Sequence, residues 1–150
     1  QSRSILGMIQ DLGIEDAVTL VDAVPPDDVF AWLSAADVCV IPSRAEAFGI
    51  VAVEAMACGT ALVASDVGGL HDKIDHGEYV LLFPSEDHQA LADCLEEVLN
   101  DDVLRESLAR EGLKRALLYD MKSQAAKVKA VYDELLSRAD GEARDVEFDT

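Results

Sequence analysis

Two glutamates with seven residues between them are the groups in this chain best placed to do chemistry. In residues 42–59, PSRAEAFGIVAVEAMACG, Glu46 stands just ahead of a helical pattern and Glu54 lies inside it. Carboxylates accept hydrogen bonds from hydroxyls, so two of them at a helix start can grip a hydroxyl-rich ligand. The unpaired N–H groups of that helix start, expected around Phe48, Gly49 and Ile50, would add a place for phosphate. Gly49 removes a side chain where a ligand would approach the backbone. Glu54 is the odder acid. Its helical neighbours Ile50, Val51, Ala57 and Cys58 are all apolar, so its ionised form needs partners there. A ribose diol would supply two O–H donors. The same pattern fits a glutamate that turns to solvent or meets an arginine. Glu46, taken alone, also fits a loop acid that stabilises a helix N-terminus through the dipole.

Such a site needs a strand, a loop and a helix. Residues 38–41, VCVI, are a short, fully apolar run of the kind that lies inside a parallel sheet, and the helix after the loop should stop at Gly59. Residues 4–12 read as a helix already under way at the first residues and closed by Gly13. Residues 17–24, AVTLVDAV, read as a strand ended by Pro25 and Pro26, after which Asp27 or Asp28 caps a short helix through Ala35. Residues 61–64 and 79–83 are further strands, separated by an Asp66–Gly69 loop and a short helix to about Ile74. Asp87 caps the next helix. Two more follow over 102–118 and 121–138, the last with Ala125, Val128, Val131, Tyr132 and Leu135 on one face. Trp32 and the apolar stripes after residue 87 are expected in the core, and residues 139–150 as an acidic, disordered tail. Strands alternating with helices give an α/β fold with a parallel sheet.

Composition narrows the partners. The 150 residues are enough for one domain, and they carry a net charge of −18 from 30 acids and 12 bases. Such a surface repels nucleic acid and anionic lipid. Aspartate (18) exceeds glutamate (12) and lysine is scarce, which suits either a generic acidic protein or adaptation to high salt, where counterions screen the repulsion. Cys39, Cys58 and Cys94 are far apart and odd in number, which predicts reduced, buried thiols of a cytosolic protein and no zinc site. No apolar run approaches the roughly 18 residues of a membrane span. The chain starts at Gln1 with no leader pattern, as a piece of a longer protein would. Arg44 faces a ligand phosphate, or is a solvated charge or the partner of a nearby acid. His71 is placed to line the crevice or the surface, and His76 and His88 read as surface residues.

The P-S-x-x-E-x-F-G run, with Glu46 and Glu54 in E-x7-E spacing, resembles the signature of retaining GT-B glycosyltransferases of family 4, or group 1. Nearly all of the chain shares in the resemblance. Residues 12–18 look like the segment before the family's third strand, residues 32–38 like its L-x-x-A-D-V approach to the motif, and residues 64–70 like its loop after the fifth strand. The resemblance implies an incomplete C-terminal half of a GT-B fold, with residues 1–138 a partial Rossmann-like, nucleotide-sugar-binding domain with flanking helices. It implies that Glu46, the first acid of the motif and its catalytic residue, contacts hydroxyls of the donor sugar and that Glu54 binds the ribose. It assigns the Phe48, Gly49 and Ile50 amides to the sugar and diphosphate. It further implies no cofactor and no metal, in keeping with the absence of a D-x-D sequence. The partners would be a nucleotide-sugar donor, a sugar or lipid-linked acceptor and a missing N-terminal domain. The setting would be cytoplasmic, with peripheral contact at the inner membrane face through that domain. The chain departs from the family at Asp22, Asp72 and residues 78–80, and it lacks the Arg and Lys that serve the diphosphate. A non-catalytic nucleotide-sugar-binding or interaction module and a GT-B sugar-nucleotide epimerase are the alternative readings.

Overall fold

Three parallel strands in the order β1-β2-β3 form the centre of the computed structural model, which describes residues 4–69 and 78–144. The strands are β1 (Val38–Ile41), β2 (Ala61–Ser65) and β3 (Leu81–Phe83), with Val38 opposite Ala61 and Val63 opposite Leu81. The helices are α1 (Ile5–Leu12), α2 (Pro26–Ala35), α3 (Ile50–Ala57), α4 (His88–Asn100), α5 (Asp102–Ala116) and α6 (Met121–Arg144). All five residues of β2 are buried, as a central strand covered on both faces must be. On one face Leu62 and Ala64 meet Ala52, Ala55 and Met56 of α3. On the other, Ala61 and Val63 meet Val98 of α4 and Leu108 of α5. β1 is only half-buried along most of its length because it is an edge of this sheet.

Local chemistry sets the helix ends. The Ser4 hydroxyl accepts from the Gly7 amide at 3.1 Å, so α1 starts at its own cap and is not already under way. Gly13 closes it with φ +65°. Asp87 accepts from the Gln89 and Ala90 amides to start α4, and Asp101 from Leu104 to start α5. α2 opens differently from the expectation. Pro25 is its N-cap and Pro26 its first residue, with Asp27 and Asp28 inside the first turn, where they face the dipole without capping.

Other expectations give way. Residues 17–24 form no strand: a 3-10 turn covers Glu15–Ala17, and the extended chain beyond it pairs with nothing among the described residues. A strand exists only with a ladder partner, and in the doubly wound order the third strand does not adjoin the fourth. Trp32 is 56% exposed rather than core, because α2 meets α3 through its other face, where Leu33 packs. The apolar face of α6 is also uncovered, with Val131 at 58% and Leu135 at 56% exposure. α6 touches the Leu117–Tyr119 turn and runs six residues past the expected boundary at 138, to Arg144. The three cysteines are free and half-buried. Burial, then the neighbouring Cys58, raises the Cys39 thiol, which keeps it protonated and unreactive. The short helix to Ile74, with His71, Asp72 and His76, lies outside the described residues.

Candidate functional site

The β1 strand ends at Ile41, and the loop to α3 lies at the carboxyl edge of the sheet, where open α/β folds bind ligands. The next two crossovers hold this loop in place. The Ser65 hydroxyl, at the end of β2, donates to the Ser43 carbonyl at 2.6 Å and also lies 3.3 Å from the Ile41 carbonyl. The Ser85 hydroxyl, just past β3, reaches the same Ser43 oxygen at 3.3 Å. The Asp66 amide donates to Phe83 at 2.8 Å, tying the second crossover to the third.

Glu46 is bound into this loop. Its Oε1 accepts from the Gly49 amide at 2.9 Å and from the Phe48 amide at 3.2 Å. Those two bonds, Gly49's first, hold the carboxyl below its ordinary range, as hydrogen bonding to the charged form must. The Phe48 and Gly49 amides, expected to be open to a ligand, are therefore taken by the protein's own anion. Gly49 has φ +82° and is the N-cap of α3, a conformation that glycine adopts without penalty. Ile50 is the first helical residue and Glu54 lies one turn further on.

Glu54 does not project into an apolar core. α3 buries Ala52, Ala55 and Met56, while Ile50 and Val51 are exposed, and Glu54 is half-buried between these sides. Its carboxylate makes no hydrogen bond or ion pair among the described residues. The loop and α3 thus carry two carboxylates, one engaged and one open, with the side chains of Phe48 and Ile50 exposed at the helix start. Arg44 turns away to Glu86, with Nε 2.9 Å from Oε1 and both side chains exposed.

Two glycines matter more than the sequence alone suggested. The Gly69 amide donates to the Glu46 carbonyl at 2.8 Å. A Cβ on Gly68 would strike the Glu46 carbonyl oxygen, and one on Gly69 the Ala47 carbonyl oxygen. The Gly68-Gly69 pair is therefore a backbone-to-backbone seat for the Glu46 loop. Its only sequence signal is the glycine doublet, which names no partner. The cluster of Tyr79, Arg115 and Tyr119 behind Phe48 left no sequence signal beyond residue type.

A family model described as glycosyl transferases group 1 matches residues 2–115. D-inositol 3-phosphate glycosyltransferase of Corynebacterium glutamicum (strain R) is 34% identical over 137 residues, covering 90% of this chain and 33% of that protein. Sucrose-phosphate synthase from Thermosynechococcus elongatus superposes with a TM-score of 0.83 at 37% identity, over 89% of this chain and 34% of its own. Anabaena HepE in complex with UDP-glucose superposes with a TM-score of 0.75 at 27% identity, over 89% of this chain and 36% of its own. The chain spans about a third of the length of these relatives.

Proposed function

The chain belongs to the glycosyl transferases of group 1, and from that premise we propose that it forms the donor-binding, C-terminal part of a retaining enzyme. That enzyme would bind a nucleotide sugar and pass the sugar to a sugar or lipid-linked acceptor. The observation that carries this reading is the pair of carboxylates at the carboxyl edge of the sheet, with Glu46 fixed by two backbone amides and Glu54 open one turn into α3. In this reading the open carboxylate of Glu54 accepts from the ribose hydroxyls. Glu46, whose Oε1 is committed to the protein, presents Oε2 to a hydroxyl of the donor sugar. Its fixed orientation costs no reorganisation during transfer. The exposed Phe48 and Ile50 side chains flank the sugar, and the first amides of α3 beyond Gly49 face the diphosphate.

Arg44, the cation of the same loop, is engaged by Glu86. Neutralising the charge that develops on the leaving diphosphate falls to the rest of the longer enzyme. An N-terminal domain would supply the acceptor side. A cytoplasmic setting would suit the nucleotide-sugar donor, with contact at the inner membrane face through that domain to reach a lipid-linked acceptor. Among the described residues no helix is long and apolar enough to cross a membrane.

Calorimetric titration of the full-length protein with nucleoside diphosphates and their sugar conjugates tests the reading. Glu54→Gln removes a charge-assisted acceptor worth about 1.5–3 kcal/mol, so both ligand classes should bind roughly tenfold to a hundredfold more weakly. Equal affinity in the variant, or no binding of any nucleotide sugar by the wild type, overturns it.

A further inference from the structure

Behind the Glu46 loop, the last turns of α5 pack along α3. The close approach is made at Gly112, where an added Cβ would meet the Met56 side chain at 3.2 Å. Three residues on, Arg115 lies with its guanidinium carbon 5.6 Å from the Tyr79 ring centre and 5.9 Å from that of Tyr119. Tyr119 in turn meets Phe48 edge to face, with ring centres 6.0 Å apart and planes at 89°. A continuous stack therefore runs from Tyr79, which is 3% exposed beside β3, through Arg115 and Tyr119 to Phe48.

Phe48 is 45% exposed, so the core does not hold its ring. Its amide is nonetheless one of the two that orient Glu46. The space among Phe48, Met56, Tyr79, Arg115 and Tyr119 is about 10 Å³, barely enough for one water. These groups touch one another and leave no room for a ligand.

We propose that Arg115 and Tyr119 are positioning residues for the donor site, holding the Phe48 ring so that the Phe48 and Gly49 amides stay on Glu46. The proposal rests on the donor-binding reading above. Arginine suits the task because its flat, delocalised guanidinium lies against two rings at once, which a compact ammonium does not reproduce.

The test uses the full-length protein with Tyr119→Leu, Tyr119→Phe and Arg115→Lys, and with Leu108→Ala as a core variant remote from the loop. Steady-state transfer gives donor KM, acceptor KM and kcat, and hydrogen exchange is read at the Phe48 and Gly49 amides. Loosening a substrate-positioning group by a fraction of an ångström should raise donor KM roughly tenfold in Tyr119→Leu and speed exchange at both amides. Acceptor KM should stay within about twofold. Arg115→Lys should show the same pattern more weakly, and it serves in its place if Tyr119→Leu does not fold. Tyr119→Phe keeps the ring edge against Phe48 and should restore most of the affinity. Leu108→Ala should lower stability without changing donor KM. Unchanged donor KM and unchanged exchange in both Tyr119→Leu and Arg115→Lys overturn the proposal, as does an equal rise in donor KM in Leu108→Ala. A wild type that binds no nucleotide sugar defeats the donor-binding reading instead, and the exchange rates still decide whether the stack holds the loop.

Discussion

Replacing Gly69 with alanine puts one methyl group into the seat of the Glu46 loop. The added Cβ would collide with the Ala47 carbonyl oxygen, lie 2.7 Å from the carbonyl carbon and 3.1 Å from the Phe48 nitrogen. All three are backbone atoms, so no side chain can swing aside. Overpacking of this kind costs about 1–3 kcal/mol. Pushing the loop away also weakens the 2.8 Å bond from the Gly69 amide to the Glu46 carbonyl, worth about 0.5–1.5 kcal/mol. Together these give about 1.5–4.5 kcal/mol. Gly59→Ala is the control. Gly59 has φ +72° with nothing within 4 Å of the added methyl, so it costs only the left-handed strain of about 1–2 kcal/mol. Urea unfolding of the full-length protein measures both, and nucleotide-sugar titration measures the site. Gly69→Ala should lose more stability than Gly59→Ala, and it alone should lose donor affinity. If Gly69→Ala costs no more than Gly59→Ala and binds donor normally, the glycine doublet does not seat the loop.

Further expectations follow from the charges. Glu46→Ala should depress turnover far more than it weakens binding of the free nucleoside diphosphate, if the carboxylate meets the sugar; equal losses in kinetics and titration would make it a general binding residue. The Glu46 carboxyl is held low by the Gly49 and Phe48 amides. Its contribution to stability is therefore complete above the unfolded value of about 4.3 and is lost as pH falls through the folded value. The stability gap between wild type and Glu46→Ala should close in acid, and denaturation curves showing the same gap at neutral and strongly acidic pH would contradict the bonding described. With a net charge of −18, self-repulsion should make the melting temperature rise from low to molar KCl. A flat or falling profile removes the high-salt reading.

What could be read from the sequence was local. Gly13 and Gly59 stop helices and Asp87 starts one because each acts on amides or dihedrals a few residues away. β1 and β2 were legible as short apolar runs. Residues 17–24 were not, since alternating apolar residues record a capacity to pair and say nothing of whether a partner strand is alongside. Trp32 and the α6 stripe show the same limit: periodicity marks a face without saying what covers it. At the site, the E-x7-E spacing drew attention to both glutamates and left open a dipole role for Glu46 at the helix start, but not its bonds to the Phe48 and Gly49 amides ahead of α3. The seat under it and the stack behind it were invisible because they join residues 46 to 69 and 48 to 119, contacts that exist only once the sheet has formed.

The Ser43 carbonyl, which receives hydroxyls from both Ser65 and Ser85, makes the loop's address independent of its lettering. Main chain is held there by side chains belonging to other crossovers, so the identities of Arg44, Ala45 and Ala47 have little say in where Glu46 sits. Those three positions are free to be rewritten, and a library randomising them should retain the placement of the carboxylate while varying what surrounds it. Ser65 has no such latitude: it is 1% exposed, and an alanine there would take away the shorter of the two hydroxyl bonds to the Ser43 carbonyl while leaving every loop residue unchanged.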